Sequence, residues 1–129
     1  MKILLRTGAL LLLLLLGGLA AQAQESPETF TLDRTSHDFG ELRPGRSEST
    51  VFTLTNTGSS PLVLLDVRIS CNCVKVNWPR QPILPGEKAE LTVTYKDRQA
   101  GAFYKVAEVV TNGNPRRVQL RLKGSIADR

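Results

Sequence analysis

The chain has 129 residues, of which 17 are basic and 12 acidic, and its net charge is +5 at pH 7. This length fits one domain of ordinary size with one modest hydrophobic core. Removal of Lys2 and Arg6 with the leader described next leaves 15 basic and 12 acidic residues, a net charge of +3. Such a mild charge does not by itself imply nucleic-acid binding, and we expect no nucleic-acid partner.

The N-terminal residues have the pattern of a secretory signal peptide. Lys2 and Arg6 form a short basic start, residues 10–16 are seven consecutive leucines, and a small-residue motif ends at Ala23. This order predicts cleavage after Ala23. The alternative is an uncleaved anchor, but the apolar stretch 9–21 is shorter than the ~20 residues that span a bilayer. We therefore predict an extracytoplasmic protein, periplasmic or secreted, with no stable membrane insertion after cleavage.

After the leader, short stretches rich in β-branched and apolar residues recur about every ten positions, separated by Gly, Pro, Asn and Asp. This rhythm is typical of an all-β sandwich or barrel, and no stretch predicts a helix. In the last stretch Val118, Leu120 and Leu122 alternate with polar residues, as a half-buried strand requires. The predicted strands are residues 29–33, 49–55, 62–69, 74–76, 89–96, 103–111 and 117–123.

The turn motifs support this division. Pro44-Gly45, Asn56-Thr57-Gly58, Pro85-Gly86 and Asn112-Gly113-Asn114 each fall between two predicted strands. Each supplies a fixed negative φ or a residue that tolerates a positive φ. Strands 62–69 and 103–111 carry apolar residues on both faces, which indicates a central strand or a bulge. We predict a signal peptide over 1–23, a linker over 24–28, one domain over 29–125 and a tail over 126–129.

Several short segments then carry a resemblance to a known family. They are His-Asp-Phe-Gly-Glu-Leu from His37, Phe-Thr-Leu-Thr-Asn-Thr-Gly from Phe52, Ser-Cys-Asn-Cys from Ser70, and Trp-Pro at Trp78. Their order resembles the exported bacterial domains called domain of unknown function 1573. The resemblance implies an immunoglobulin-like antiparallel β-sandwich of about seven strands, similar to Hydin/MSP-like sandwich domains, which serve as binding modules. The family motif usually reads Ser-Cys-Gly-Cys-Thr, from which Asn72 and Val74 depart.

The two cysteines, Cys71 and Cys73, are one residue apart in a chain predicted to leave the cytoplasm, so a disulfide between them is the first expectation. In a straight strand their β-carbons would lie about 6.6 Å apart, too far for a disulfide. We therefore expect the strand to end at Ser70 and kink, with Asn72 tolerating a left-handed conformation. Three alternatives stay open: a redox-active pair, a Cu(I) site that would need His37 or a second molecule, and free thiols.

Three further features are candidates for function. His37, the only histidine, lies beside Asp38 and is either an oriented base or metal ligand, or part of a turn cap at the start of the sandwich. Trp78 is either a plug over one end of the core or an exposed recognition aromatic. A basic strip is either an anionic-glycan or phosphate surface, or a solvated face that discourages edge pairing. Its members are Arg116, Arg117, Arg121 and Lys123, with Arg43 and Arg46 expected at the same end.

No catalytic triad, nucleophile elbow, phosphate-binding glycine loop or cofactor motif is present in the sequence. We therefore expect a non-enzymatic, extracytoplasmic binding or structural module without a cofactor, whose partner is a protein or a glycan. The alternative is a thiol-dependent role through Cys71 and Cys73, in redox exchange or Cu(I) binding.

Overall fold

The computed structural model describes residues 27–128, and all regular structure in that range is β. The predicted signal peptide lies outside the described residues. No helix among residues 27–128 is long and apolar enough to cross a membrane. The strands are β1 (Phe30–Leu32), β2 (Ser36–Leu42), β3 (Glu48–Asn56), β4 (Leu64–Ile69), β5 (Val74–Asn77), β6 (Lys88–Tyr95), β7 (Gly101–Thr111) and β8 (Arg117–Ile126).

The strands form two four-stranded sheets, in the orders β1-β3-β6-β5 and β2-β8-β7-β4. This confirms the predicted all-β, immunoglobulin-like sandwich, with eight strands in the described residues rather than about seven. One pair departs from the antiparallel prediction, because β2 runs parallel to β8. The chain reaches that position by leaving the first sheet after β1 and entering the second sheet directly, at the same edge of the sandwich.

Strand β2 was not among the predicted strands, and of the two residues considered as turn caps, His37 and Asp38, only Asp38 makes such a contact, by accepting the N–H of Gly40. Both residues lie within β2, where they face Leu122 and Lys123 of β8. The alternation that would reveal a strand is interrupted between Asp38 and Glu41, where the register shifts. Gly40 provides the irregular backbone there with a φ of 70°, a conformation that residues with a β-carbon rarely adopt.

The two stretches predicted as either a central strand or a strand with a bulge, residues 103–111 and 62–69, differ in the structure. Strand β7 is central, between β8 and β4, whereas β4 is an edge strand whose register with β7 shifts between Leu64 and Asp66. Leu62, predicted as the start of β4, instead forms an isolated bridge with Ile83. At the C-terminal end β8 continues past the predicted strand limit, and Ile126, assigned to the tail, is its buried last residue.

The core lies between the sheets and is filled by alternate residues of the long strands. In β6 Leu91, Val93 and Tyr95 point inward, and in β8 Leu120 and Leu122 do so, which confirms the predicted alternation. Burying such side chains is the main favourable term for a domain of this size. Two of the predicted turns are closed by backbone hydrogen bonds, Arg46 to Arg43 and Glu87 to Leu84, with Gly45 and Gly86 at positive φ.

Candidate functional site

The cysteine pair lies where the chain crosses from one sheet to the other at the β4/β5 edge of the sandwich. Strand β4 ends at Ile69, β5 begins at Val74, and a disulfide joins Cys71 to Cys73 between them. The expected break in the strand near Ser70 is therefore present. The N–H of Val74 donates to the carbonyl of Cys71 over 3.3 Å, and this tight turn brings the two α-carbons to 5.1 Å. That spacing is within the range a disulfide spans.

The expected role of Asn72 in this turn is not observed. No residue other than glycine has a positive φ among residues 27–128, so Asn72 enters the turn without a left-handed conformation. The turn is instead stabilised by hydrogen bonds to two atoms of Cys71, its carbonyl oxygen and its sulfur. Besides the carbonyl, its sulfur accepts the N–H of Cys73 over 3.1 Å. The departure of Asn72 from the glycine of the family motif is therefore compatible with an ordinary right-handed turn.

Beside the disulfide lies a cavity of about 320 Å³ with a positively charged wall. Cys73 reaches this cavity and Cys71 does not. Two exposed lysines, Lys75 of β5 and Lys96 just after β6, line it, and the N–H of Lys96 donates to the carbonyl of Cys73 over 2.9 Å. The remaining lining residues are Ser47, Asn72 and Thr94.

His37 lies at the opposite side of the same sheet. It belongs to β2 and the cysteines follow β4, and these strands are the two edges of the sheet. Three strand spacings, about 14 Å, separate such edges, so His37 and the cysteines do not form one site within a single molecule. Among the described residues no three His, Cys, Asp or Glu side chains are grouped as a metal site would require.

His37 is held by Arg34, which lies in the β1/β2 crossover. The Arg34 guanidinium donates to Nδ1 of His37 over 3.2 Å, and to the Thr50 hydroxyl and Val51 carbonyl of β3 over 2.7 Å each. Its Cζ lies 4.5 Å from the centre of the buried Phe52 ring, so the cation closes this edge of the sandwich by linking both sheets. Because arginine can only donate, Nδ1 is the acceptor and the proton of the neutral imidazole is on Nε2.

Burial and the Arg34 cation lower the pKa of His37, while Asp38 opposes that shift. A neutral histidine whose Nδ1 is already occupied has little capacity as a general base. The Asp38 carboxylate is also engaged locally, since it accepts the N–H of Gly40 over 2.8 Å at the β2 bulge. The pair therefore contributes to the sandwich edge, and its chemistry is that of a structural contact.

The basic residues do not form one strip. Arg117, Arg121 and Lys123 lie on the exposed face of β8, but β8 is between β2 and β7, so its charges cannot act by discouraging edge pairing. Arg117 approaches Glu108 of β7 to 4.0 Å, and Arg121 donates to Gln119 over 3.2 Å.

The positions of the other basic residues also differ from the expectation. Arg43 and Arg46 follow β2, whose last residue Leu42 faces Ile126 at the C-terminal end of β8. Arg116 precedes the first residue of β8, so nearly the whole strand separates it from them. The expectation that all of these residues gather at one end is therefore wrong.

Trp78 follows β5 and is half-buried, so it is neither a fully buried plug nor a fully exposed aromatic. One side of the indole packs against the core, and the Arg80 guanidinium lies over the ring with Cζ 3.6 Å from its centre. Together with Pro79, Pro82 and Ile83 it lines an open cavity of about 410 Å³ on the first sheet. The polar lining residues are Asn77, Gln81, Glu87, Lys88, Glu90 and Thr92.

Two important residues were not identified from the sequence. Arg34 was one of several arginines, and only the crossover between sheets gives it partners in both. Asn56 was identified as a turn residue but is 1% exposed, with its amide donating to the carbonyls of Ser60 and Ile83. A signal existed for the second, because Asn followed two residues later by Gly permits the side-chain oxygen to accept that glycine's N–H, here over 2.9 Å.

Similar solved structures support the fold. A Porphyromonas gingivalis W83 protein of unknown function aligns over 84% of this chain and 51% of its own, with 17% identity and a TM-score of 0.66. This chain therefore spans about half the length of that protein. The ASH/PapD-like domain 7 of human CEP192 aligns over 86% of this chain and 94% of its own, with 13% identity and a TM-score of 0.67. The Vibrio cholerae VesB protease aligns over 75% of this chain but 32% of its own, with 16% identity and a TM-score of 0.63.

These identities are low enough that the likeness concerns the sandwich fold alone. Among curated proteins, none matches the chain. The sequence model of one family matches residues 30–126, which include all eight strands and the cysteine pair. The chain therefore belongs to DUF1573, a family described as protein of unknown function.

Proposed function

We propose that the mature chain is a non-enzymatic, extracytoplasmic binding module that contacts a protein or glycan partner through the cavity beside Trp78. The predicted signal peptide supports the location, and the immunoglobulin-like sandwich supports a role in binding. The single observation that carries the proposal is the cavity itself. It combines an indole held between the core and Arg80 with polar side chains, most of which have unused hydrogen-bonding capacity.

The composition of the cavity suits recognition of a polar partner. The side chains of Asn77, Gln81, Lys88, Glu90 and Thr92 make no hydrogen bond or ion pair with other residues in the range 27–128. A ligand can therefore bond to them without breaking an existing contact. Arg80 is not itself a lining residue, but its guanidinium, stacked on Trp78, keeps its in-plane N–H groups free to donate beside the cavity. Aromatic and arginine side chains are the residues that most often dominate binding energy at protein interfaces.

The proposal is a binding role because no nucleophile–histidine pair lines the cavity. His37 accepts a hydrogen bond from Arg34 at the far edge of the second sheet, and the Trp78 cavity lies on the first sheet. The cavity residues include no imidazole or thiol, so the cavity lacks the Ser–His or Cys–His pair of nucleophilic hydrolases.

The test is retention of envelope components by the immobilised mature domain, followed by titration of the retained component with Trp78 fluorescence as the signal. Trp78 is the only tryptophan, so its emission reports on this cavity alone. We expect Arg80→Ala to weaken binding by about tenfold, because the guanidinium that lies over the indole holds the lining residue Trp78 in place. The control Arg121→Ala, on the other sheet, should bind as the wild type does. Equal binding by Arg80→Ala, or an unchanged emission at saturation, would contradict the proposal.

The Cu(I) form of the thiol-dependent alternative has less support. The sulfurs of Cys71 and Cys73 are bonded to each other, so neither offers a thiolate until the bond is reduced. His37, the third ligand considered, lies across the sheet. The redox form rests on a different observation, the cavity beside Cys73.

A further inference from the structure

We propose that the Cys71–Cys73 disulfide is a thiol–disulfide exchange site that accepts electrons from an anionic thiol, which attacks Sγ of Cys73. This inference goes beyond the binding function proposed above and does not depend on it. It rests on three observations: a cavity lined by one of the two cysteines, two lysines among its lining residues, and a hydrogen bond already directed at the sulfur of the other cysteine.

The cavity distinguishes the two cysteines. Cys73 lines the cavity of about 320 Å³ and Cys71 does not, although both side chains are half-buried. A nucleophile must approach a disulfide roughly along the S–S axis, from behind the sulfur it attacks. A thiolate that enters the cavity lies beside Cys73, and its attack on the Cys73 sulfur makes Cys71 the leaving group.

Charge favours an anionic thiol in that cavity. Lys75 and Lys96 line it, neither forms an ion pair within the described part of the chain, and no acidic residue is among the lining residues. Two nearby ammonium groups raise the local concentration of an anion. They also stabilise the thiolate form of an entering thiol, which is the nucleophilic form.

The sulfur of Cys71, the leaving group, already accepts a hydrogen bond. The backbone N–H of Cys73 donates to Sγ of Cys71 over 3.1 Å while the disulfide is intact. When the S–S bond breaks, its electron pair goes to Sγ of Cys71, and the same N–H then stabilises a full negative charge. A hydrogen bond to a charged group is about twice as strong as one to a neutral group. Because a better-stabilised thiolate leaves faster, this contact favours cleavage in the proposed direction.

The complete exchange balances as a two-electron transfer. In the first step the thiolate forms a mixed disulfide with Cys73, and the Cys71 thiolate is released. In the second step a further thiolate, from the same dithiol or a second molecule, attacks the partner's sulfur and releases the Cys73 thiolate beside Lys75 and Lys96. Two thiols are oxidised to one disulfide, and the two protons they lose are taken up by Cys71 and Cys73.

The fold is arranged to tolerate this reduction. The disulfide closes only a three-residue ring, so it removes little chain entropy from the unfolded state. Strand β5 stays paired with β6 through Val74 to Asn77, independently of the sulfurs. We therefore expect the reduced protein to stay folded, with a change confined to the crossover turn.

The experiment compares two thiols of opposite charge on the folded, mature protein. Glutathione is anionic and cysteamine is cationic at neutral pH, and each rate of disulfide loss is measured by acid quenching and mass spectrometry and normalised to thiolate concentration. The test variant is Lys75→Gln/Lys96→Gln. The control, Arg121→Gln/Lys123→Gln, makes the same change in net charge on the exposed face of β8.

We expect the test variant to lower the ratio of glutathione to cysteamine rates by about five- to tenfold at low salt, since exposed charges of this kind steer anions and are screened by salt. High salt should remove the difference, and the control should retain the wild-type ratio. An unchanged ratio in the test variant would overturn the proposal. So would a reduction rate equal to the rate of global unfolding, because the site would then be closed in the folded state.

The direction of attack has its own readout. Early quenching with an alkylating reagent and peptide mapping should place glutathione on Cys73 and the alkyl group on Cys71. The opposite assignment would overturn the proposed direction, whatever the effect of the lysines. Circular dichroism of the reduced and oxidised forms completes the test, with the same β spectrum expected for both.

Discussion

Replacement of Asn56 by alanine tests how a buried polar side chain holds one end of the sandwich. Its amide donates to the carbonyls of Ser60 and Ile83 over 2.9 and 2.8 Å, and its oxygen accepts the N–H of Gly58 over 2.9 Å. Each such bond contributes about 1 kcal/mol net, and a buried group left unpaired costs about 1–3 kcal/mol. The loss is moderated because the Ile83 carbonyl keeps a second bond from Leu62.

We therefore expect Asn56→Ala to lower the free energy of unfolding by about 2–3 kcal/mol. Asn56→Asp, nearly the same shape, should cost more at pH 7, because its carboxylate would face the Ser60 and Ile83 carbonyls without a donor. The two variants should converge as the pH falls and the new carboxyl is protonated. Urea unfolding measures each value, with exposed Thr57→Ala as the control. A loss below about 0.5 kcal/mol for Asn56→Ala would refute the reasoning.

Three further changes follow from other contacts. Folding lowers the pKa of His37, so the unfolded state binds the proton more readily. The free energy of unfolding should therefore rise with pH between the folded pKa and the unfolded value of about 6.5. His37→Gln should lose that component of the pH dependence in urea unfolding, and equal slopes for both proteins would contradict it. Gly124→Ala should lower the free energy of unfolding by about 1–3 kcal/mol, because a β-carbon there would lie 2.7 Å from the Phe103 ring and 2.8 Å from the Gly40 carbonyl. An unchanged melting curve would contradict this. Arg34→Met should destabilise by about 2 kcal/mol or more, since it removes the donors to Thr50 and Val51, and a stability equal to wild type would show that the crossover needs no cation.

The sequence predicted the strands and turns that depend only on neighbouring residues. Strands β6 and β8 follow from strict alternation, and the turns at Gly45 and Gly86 follow from glycine after proline. Strand β2 was missed because its alternation is broken at Gly40, and its place beside β8 depends on a crossover that no local pattern encodes. A crossover between sheets has no characteristic sequence motif, so it is recognised only in the folded structure.

In the candidate sites, too, local features were predicted and contacts between distant strands were not. The disulfide followed from compartment and spacing, but the turn that permits it uses a hydrogen bond from Val74 instead of a left-handed Asn72. Of the lysines beside Cys73, Lys75 lies in β5 and Lys96 directly follows β6, and these two strands pair only in the folded sheet. The role of Arg34 likewise depends on partners from two strands. Contacts of this kind require the register of strands distant in sequence, which one sequence does not supply.

The most direct test of the central claim, an exported domain with a Cys71–Cys73 disulfide, is the intact mass of the protein secreted by its own leader. The mass is recorded after denaturing alkylation, with and without reductant. We predict the mass of residues 24–129 less two hydrogens, with alkyl groups added only after reduction. A mass that retains the leader would contradict export with cleavage. Two alkyl groups without reductant would contradict the disulfide and, with it, the exchange site proposed at Cys73.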